Sequence, residues 1–301
     1  MARDWETTFR RWMGAASDTE KAKREHAESA VRDALSSDPV LAKRTLLVRA
    51  QGSYRNNTNV PQDSDVDIYV CCGNVCYADF DFAGGYDGKT VGLTDASLKY
   101  ADFKNEVERA LIARFGRAGV ARGSKAFDVH ANSYRIDADV VATFEHRRYL
   151  PIAGGAHPYE TGTEFRPDTG GRIINWPEQQ YTIGVAKNKE TGGRFKGVTR
   201  ILKELRYEMA DAGIAAASPV PSYLIECLAY HASSPCFGHP AVYTDVREVV
   251  RELWGATRED ATCDQWGEVN ERKYLFRSSQ PWTREQANGF LLAAWGYAEF
   301  K

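Results

Sequence analysis

The stretch from Gln51 to Val70 reads QGSYRNNTNVPQDSDVDIYV. In its second half Asp65, Asp67 and Tyr69 alternate with Val66, Ile68 and Val70. Successive side chains of an extended strand point to opposite faces, so the apolar set turns inward and the two carboxylates point together outward. Two carboxylates on one face suit Mg²⁺, which takes hard oxygen ligands, keeps several waters and lets substrate phosphates complete its octahedron. The first half supplies a phosphate end. A side chain at Gly52 would block close backbone approach, while Ser53 and the amides opening a helix can donate to phosphate oxygens. Gln51, Gly52 and Ser53 are therefore the candidate triphosphate contacts. A lone Asp-x-Asp or a lone Gly-Ser pair is an ordinary feature of surface strands and turns. Joined by a polar loop and a β-branched strand, the two point to nucleotidyl transfer.

The run resembles polymerase-β-like nucleotidyltransferases, in which two cations bracket the attacking and leaving oxygens and a third carboxylate comes from an adjacent strand. Downstream, YRIDADVVATF (Tyr134 to Phe144) offers Asp137 and Asp139 in a β-rich run. Spaced by two, both share one face. Asp139 is the stronger candidate, because in families with this fold the third acid directly precedes an apolar pair and a small-residue or proline turn. Here Val140, Val141 and Ala142 follow it. Asp137 is the second choice.

A chain of 301 residues with 43% hydrophobic residues suggests about two domains with sizeable cores. The net charge of −2, with no block of Lys and Arg, argues against a dedicated nucleic-acid surface. The apolar stretch Phe290 to Trp295 is too short to span a membrane, and the charged N-terminus lacks a secretory apolar core, so the expected location is the cytoplasm. The cysteines are too sparse for a disulfide framework.

Periodicity predicts a long helix from about Asp18 to Ser36, capped by Asp18 or Thr19 and bracing both domains. A strand over Thr45 to Ala50 precedes the Gly-Ser turn, and Gly73 to Thr94 reads as loop. Leu98 to Phe115 is helical, Lys125 to Val129 and Tyr134 to Thr143 read as paired strands, and Pro151 to Gly171 is turn-rich. From Gln179 onward the patterns are helical. The expected fold is α+β: a polymerase-β-like nucleotidyltransferase core with a mixed sheet over residues 1–178, and a C-terminal helical bundle over 179–301. The expected arrangement is bilobal, with the catalytic cleft between the parts.

A second constellation lies in KNKETGGRFKGVTRILK, Lys187 to Lys203. At 100° per residue Val198, Ile201, Leu202, Leu205 and Met209 share one face, and Lys196, Arg200 and Lys203 form a basic stripe on the other. Such a stripe is either an ordinary solvated face or a counter-charge for a triphosphate. Lys196, nearest the helix start, is the chosen phosphate contact, with Arg200 beside it. Lys187 and Asn188 precede it in an expected polar loop, where Asn188 is the candidate base contact. Tyr223 in PSYLIE is either a core residue or a stacking partner for a base.

Taken together, GSYRNNTN…DSDVDIYV, RIDADVVATFEHRRY, NWPEQQY, KNKETGGRFKGVTRILK and PSYLIECL resemble bacterial cGAS/DncV-like nucleotidyltransferases, most closely the branch called clade E. The resemblance covers roughly residues 30 to 300. It implies a cyclic oligonucleotide synthase, most simply of a cyclic dinucleotide, that joins nucleoside triphosphates (ATP, GTP, UTP or CTP) with release of pyrophosphate. It also implies two Mg²⁺ ions on Asp65, Asp67 and Asp139, with Mn²⁺ as a substitute, and a monomer without stable nucleic-acid or membrane partners. The product would activate a separate effector protein in antiphage (CBASS) signalling. The alternative is another transferase on the same fold, such as an RNA-tailing enzyme or a modifier of small molecules or proteins. The sequence departs from the family at Ala142, where Pro is frequent, and near Asn57, where Gly is common.

Overall fold

The structure, a computed structural model, describes residues 3–61, 65–132 and 136–301. In chain order the elements begin with α1 (Trp5–Trp12), α2 (Asp18–Ser36), β1 (Leu46–Ala50), α3 (Gly52–Asn56), β2 (Val66–Asp79) and α4 (Tyr100–Phe115). There follow β3 (Val120–Arg122), β4 (Phe127–Val129), β5 (Ala138–Tyr149), β6 (Tyr159–Phe165) and β7 (Ile173–Asn175). The chain then turns helical: α5 (Pro177–Glu190), α6 (Arg194–Asp211), α7 (Ser222–His231), α8 (Val242–Ala256), α9 (Asp260–Cys263) and α10 (Arg284–Tyr297).

Two compact units emerge. One comprises Ser17–Tyr54 and Ser64–Pro177; the other comprises Met1–Ala16, Arg55–Asp63 and Glu178–Lys301. The expected division at 178/179 thus needs two corrections, since the N-terminal helix and the segment after the Gly-Ser turn both cluster with the helical unit. Burial explains the first: Trp5 and Phe9 of α1 lie in the same apolar core as Phe195, Leu224, Val246 and Phe290. Hydrogen bonds, described below, explain the second.

In the sheet unit the strands run in the order β1-β2-β5-β4-β3, with β6 pairing β5 and β7 pairing β6. The β2·β5 pair is parallel and the other ladders are antiparallel, so the sheet is mixed. Val66, Ile68, Val70 and Cys72 are buried with Val31 and Leu35 of α2 and Phe103, Val107 and Leu111 of α4. The inward half of the alternation therefore forms as expected. Its outward half holds for Asp65 and Asp67, but Tyr69 is 1% exposed, so the second face is also covered beyond the acids. Helix α2 is capped by Ser17, whose hydroxyl and the Glu20 side chain close a reciprocal capping box, in place of Asp18 or Thr19. It packs against α4 and β1 within this unit.

Two expected loops are partly strand. β2 continues to Asp79 through a bulge between Cys72 and Cys76, where the register shifts, and pairs with β5 as far as Arg148. Gly73 and Asn74, which look like a turn in sequence, sit in that bulge, where Gly73 N and Asn74 Oδ1 bond the backbone of Thr45. β6 lies inside the stretch read as turn-rich. A Cβ at Gly162 would stand 2.7 Å from Asn175 O and 2.9 Å from the Trp176 ring, so this glycine marks close packing, not a turn. Among the described residues, no helix is long and apolar enough to cross a membrane.

Candidate active site

β1 delivers the chain to the Gly-Ser turn, and Gln51 N donates to Asp67 O at 2.8 Å, tying the turn to the acidic strand. Gly52 takes φ +64°, and an added Cβ would lie 2.3 Å from Asp67 Oδ2. The glycine is needed twice, for a left-handed backbone and for contact of its α-carbon with a carboxylate. Ser53 follows in the first turn of α3, with its side chain partly exposed.

Asp67 and Asp139 are register partners in the parallel β2·β5 ladder. Neighbouring strands lie about 4.8 Å apart and register partners share a face, so these two carboxylates stand side by side. Asp65, two residues before Asp67, adds a third on that face. The proton affinity of Asp139 is raised, first by burial and then by the charges of Asp65 and Asp128. Like charges crowded at the rim of a half-buried site are an arrangement a divalent cation stabilises, and all the donors are hard carboxylate oxygens. The residues present therefore fit the metal centre expected from sequence.

Asp128 is the acid that the sequence reading passed over. It pairs in register with Asp139 across β4·β5, extending the row Asp67, Asp139, Asp128 over adjacent strands. Its signal was present in the alternation of FDV, but only the pairing of β4 with β5 gives it meaning. Asp137, the second choice, is placed differently from Asp139. Its carboxylate accepts from Ala131 N at 2.6 Å and gathers with Asp128 and His130, the ligand atoms of all three lying within 4.8 Å of one another.

The basic stripe of α6 is a correction. Arg200 and Lys203 are buried, so neither forms a solvated face. Arg200 donates to Met13 O, at 3.0 Å from Nε, and to Asn57 O, which engages its guanidinium on backbone carbonyls. Burial lowers its pKa to about 10. Lys203 sits 3.8 Å from Glu226. Lys196 differs: half-buried, its ammonium lies 5.8 Å from the centre of the Tyr181 ring and has no ion-pair or hydrogen-bond partner among the described residues. Burial lowers its proton affinity, nearby Glu226 opposes that, and Arg200 adds to it.

Lys187 and Asn188 are on α5, not in a loop. Lys187 Nζ donates to Ala232 O at 2.8 Å. Asn188 Oδ1 accepts from Lys196 N at 3.0 Å, joining the end of α5 to the first turn of α6. That bond occupies the side-chain oxygen proposed to read a base. Tyr223 takes the core alternative: its hydroxyl donates to Glu268 at 2.9 Å and accepts from Asn270, and burial leads the causes that raise its pKa well above the usual tyrosine value.

Comparison with known proteins agrees with this geometry. Residues 182–299 match the model of the cGAS/DncV-like nucleotidyltransferase C-terminal helical domain. The chain is 45% identical over 299 residues, 99% of each chain, to a cyclic dipyrimidine nucleotide synthase CdnE of Legionella pneumophila. The solved CdnE cyclic dinucleotide synthase of Elizabethkingia meningoseptica, with GTP and Apcpp, superposes with a TM-score of 0.78 at 31% identity, covering 98% of this chain and 99% of the other. The c-UMP-AMP synthase CdnE of Rhodothermus marinus, with Apcpp and Upnpp, gives 0.83 at 28%, covering 98% and 97%. With its acids in register, its glycine against Asp67 and its full-length kinship to CdnE enzymes, the chain belongs to the cGAS/DncV-like nucleotidyltransferases and is a cyclic oligonucleotide synthase.

Proposed function

We propose that this enzyme condenses two nucleoside triphosphates into a cyclic dinucleotide containing at least one pyrimidine. The side-by-side placement of Asp67 and Asp139, with Gly52 against Asp67, carries the catalytic part of the reading. The pyrimidine choice is supported by the Legionella relative, named for a dipyrimidine product. Asp65, Asp67 and Asp139 are the residues that would hold two divalent cations. When bound, such ions supply Lewis-acid charge for the attacking and departing oxygens. The Gly52-Ser53 turn holds the donor triphosphate, and Lys196, a half-buried ammonium with no ion-pair partner among the described residues, is the candidate counter-charge for a triphosphate. The Asp139 carboxylate, beside Asp67 in the strand register, takes the proton of the attacking ribose hydroxyl. Alignment and charge do the rest, with no covalent enzyme intermediate. A second round on the linear intermediate closes the ring.

Family membership supports a cytoplasmic, monomeric enzyme whose product activates a separate effector in antiphage signalling. The test is incubation of the purified protein with labelled ATP, GTP, CTP and UTP and Mg²⁺ or Mn²⁺. Phosphatase-resistant small products that require UTP or CTP are expected. Products from ATP and GTP alone would overturn the pyrimidine assignment, and labelled polymer or protein would replace the reading with the tailing or protein-modifying alternative.

A further inference from the structure

Asn56, Thr58 and Asn59, which follow the Gly-Ser turn, are polar yet buried, which is unusual for a connecting loop, whose backbone normally runs over the surface in water. Asn56 and Thr58 are 5% and 0% exposed. Both point their donors at one carboxylate, that of Glu226 on α7, itself 3% exposed. Asn56 Nδ2 reaches Glu226 Oε1 at 3.1 Å and Thr58 Oγ1 reaches Oε2 at 2.6 Å. Gln180 Nε2 adds a third bond at 3.0 Å, and Lys203 Nζ lies 3.8 Å away as counter-charge. Between the two bonded side chains, Asn57 adopts φ +56°, and its carbonyl accepts from Arg200. The same guanidinium holds Met13 O.

We propose that Glu226 and Arg200 are positioning residues for nucleotidyl transfer, clamping Asn56, Asn57 and Thr58 so that the chain leaving the Gly-Ser turn through α3 has one path. This rests on the active-site reading above. An apolar plug of the same volume would bury the loop as well, and replacing buried ionic clusters by apolar packing is often neutral or stabilising. What packing lacks is direction. Each bond here fixes one atom of one of these successive residues, and a loop slipped by one residue would leave the buried Glu226 carboxylate without its Asn56 and Thr58 donors. The turn needs positive φ at Asn57, a conformation that favours glycine, and here the guanidinium bonds its carbonyl.

The test uses the full-length protein, Mg²⁺ and the four nucleoside triphosphates, reading pyrophosphate release for Thr58→Val, which keeps the shape and removes the donor, and Thr58→Ser, which keeps the donor. A misplacement approaching 1 Å costs up to about 10²-fold in rate. Thr58→Val is therefore expected to lose about tenfold or more in kcat with KM within about threefold, and Thr58→Ser to recover most of the loss. Should Thr58→Val not fold, Asn56→Ala carries the same kcat-against-KM reading. A Thr58→Val enzyme within about twofold of wild-type kcat overturns the clamp, as does a loss carried by KM alone or one that Thr58→Ser does not rescue. A wild type inert toward every triphosphate overturns the active-site reading and the clamp together, whereas an active wild type with an unaffected Thr58→Val overturns the clamp alone.

Discussion

Gly52→Ala probes the contact that joins the Gly-Ser turn to the acidic strand. At φ +64° an L-residue bears about 1–2 kcal/mol of left-handed strain. The larger effect is steric. The new Cβ would stand 2.3 Å from Asp67 Oδ2, which is 0.7 Å inside the 3.0 Å that real Cβ contacts respect, so the carboxylate or the turn must yield by at least that much. A displacement of about 1 Å in a reacting constellation costs about 10²-fold, equivalent to about 2.7 kcal/mol of transition-state stabilisation. Pyrophosphate release under kcat/KM conditions should fall by about that factor while circular dichroism and melting show a folded protein. Gly92→Ala is the control for strain alone, with φ +72° and no heavy atom within 4 Å of the added Cβ. It should keep full turnover. A Gly52→Ala enzyme within about threefold of wild type, or a Gly92→Ala enzyme equally impaired, would sink the argument.

Asp139→Asn should abolish product formation. In EDTA at neutral pH it should also melt higher than wild type, because the raised proton affinity of Asp139 means that the fold disfavours its charged form. The sign follows: the Asp139 contribution is most favourable below the ordinary carboxylate pKa and is lost as pH rises through the folded value, so the gap between variant and wild type should close on acidification. Adding Mg²⁺ should stabilise wild type and leave Asp139→Asn nearly unmoved, as read by thermal melts with and without the ion. Lys196→Met should raise KM for triphosphate by about tenfold or more without lowering the melting temperature, since it removes a half-buried cation that has no ion-pair or hydrogen-bond partner among the described residues. A raised kcat/KM or a destabilised fold would contradict that placement. Tyr223→Phe should leave turnover unchanged and cost about 1–3 kcal/mol in denaturant unfolding, because it strips a donor from buried Glu268; loss of turnover at unchanged stability would restore the base-stacking role.

The acids on β2 were legible because strand alternation is local: Val66, Ile68 and Val70 need only their own chain to say which way Asp65 and Asp67 point. Asp139 was legible by its offset in a β-branched run, and Asp128 was not, since its partner became visible only when β4 was laid beside β5. The strand within Tyr159–Phe165 was hidden because Gly162 reads as a turn former until Trp176 is seen against it. The helix across Lys187 and Asn188 was missed because the polar run before Gly192 and Gly193 looks like loop, although the helix ends only at Glu190.

By itself the sequence determined where the candidate site lies: a Gly-Ser turn, paired acids on a strand and a third acid downstream, each set by spacing along one chain. Only the tertiary structure decided what each cation of the α6 stripe does. Helical periodicity places Lys196, Arg200 and Lys203 on one face but does not say what covers that face. Burial beneath Met13, Asn57 and Glu226 turns two of them into internal partners and leaves Lys196 without an ion-pair partner among the described residues, because the free energy of a charge is set by the groups and water around it, and those arrive from distant parts of the chain.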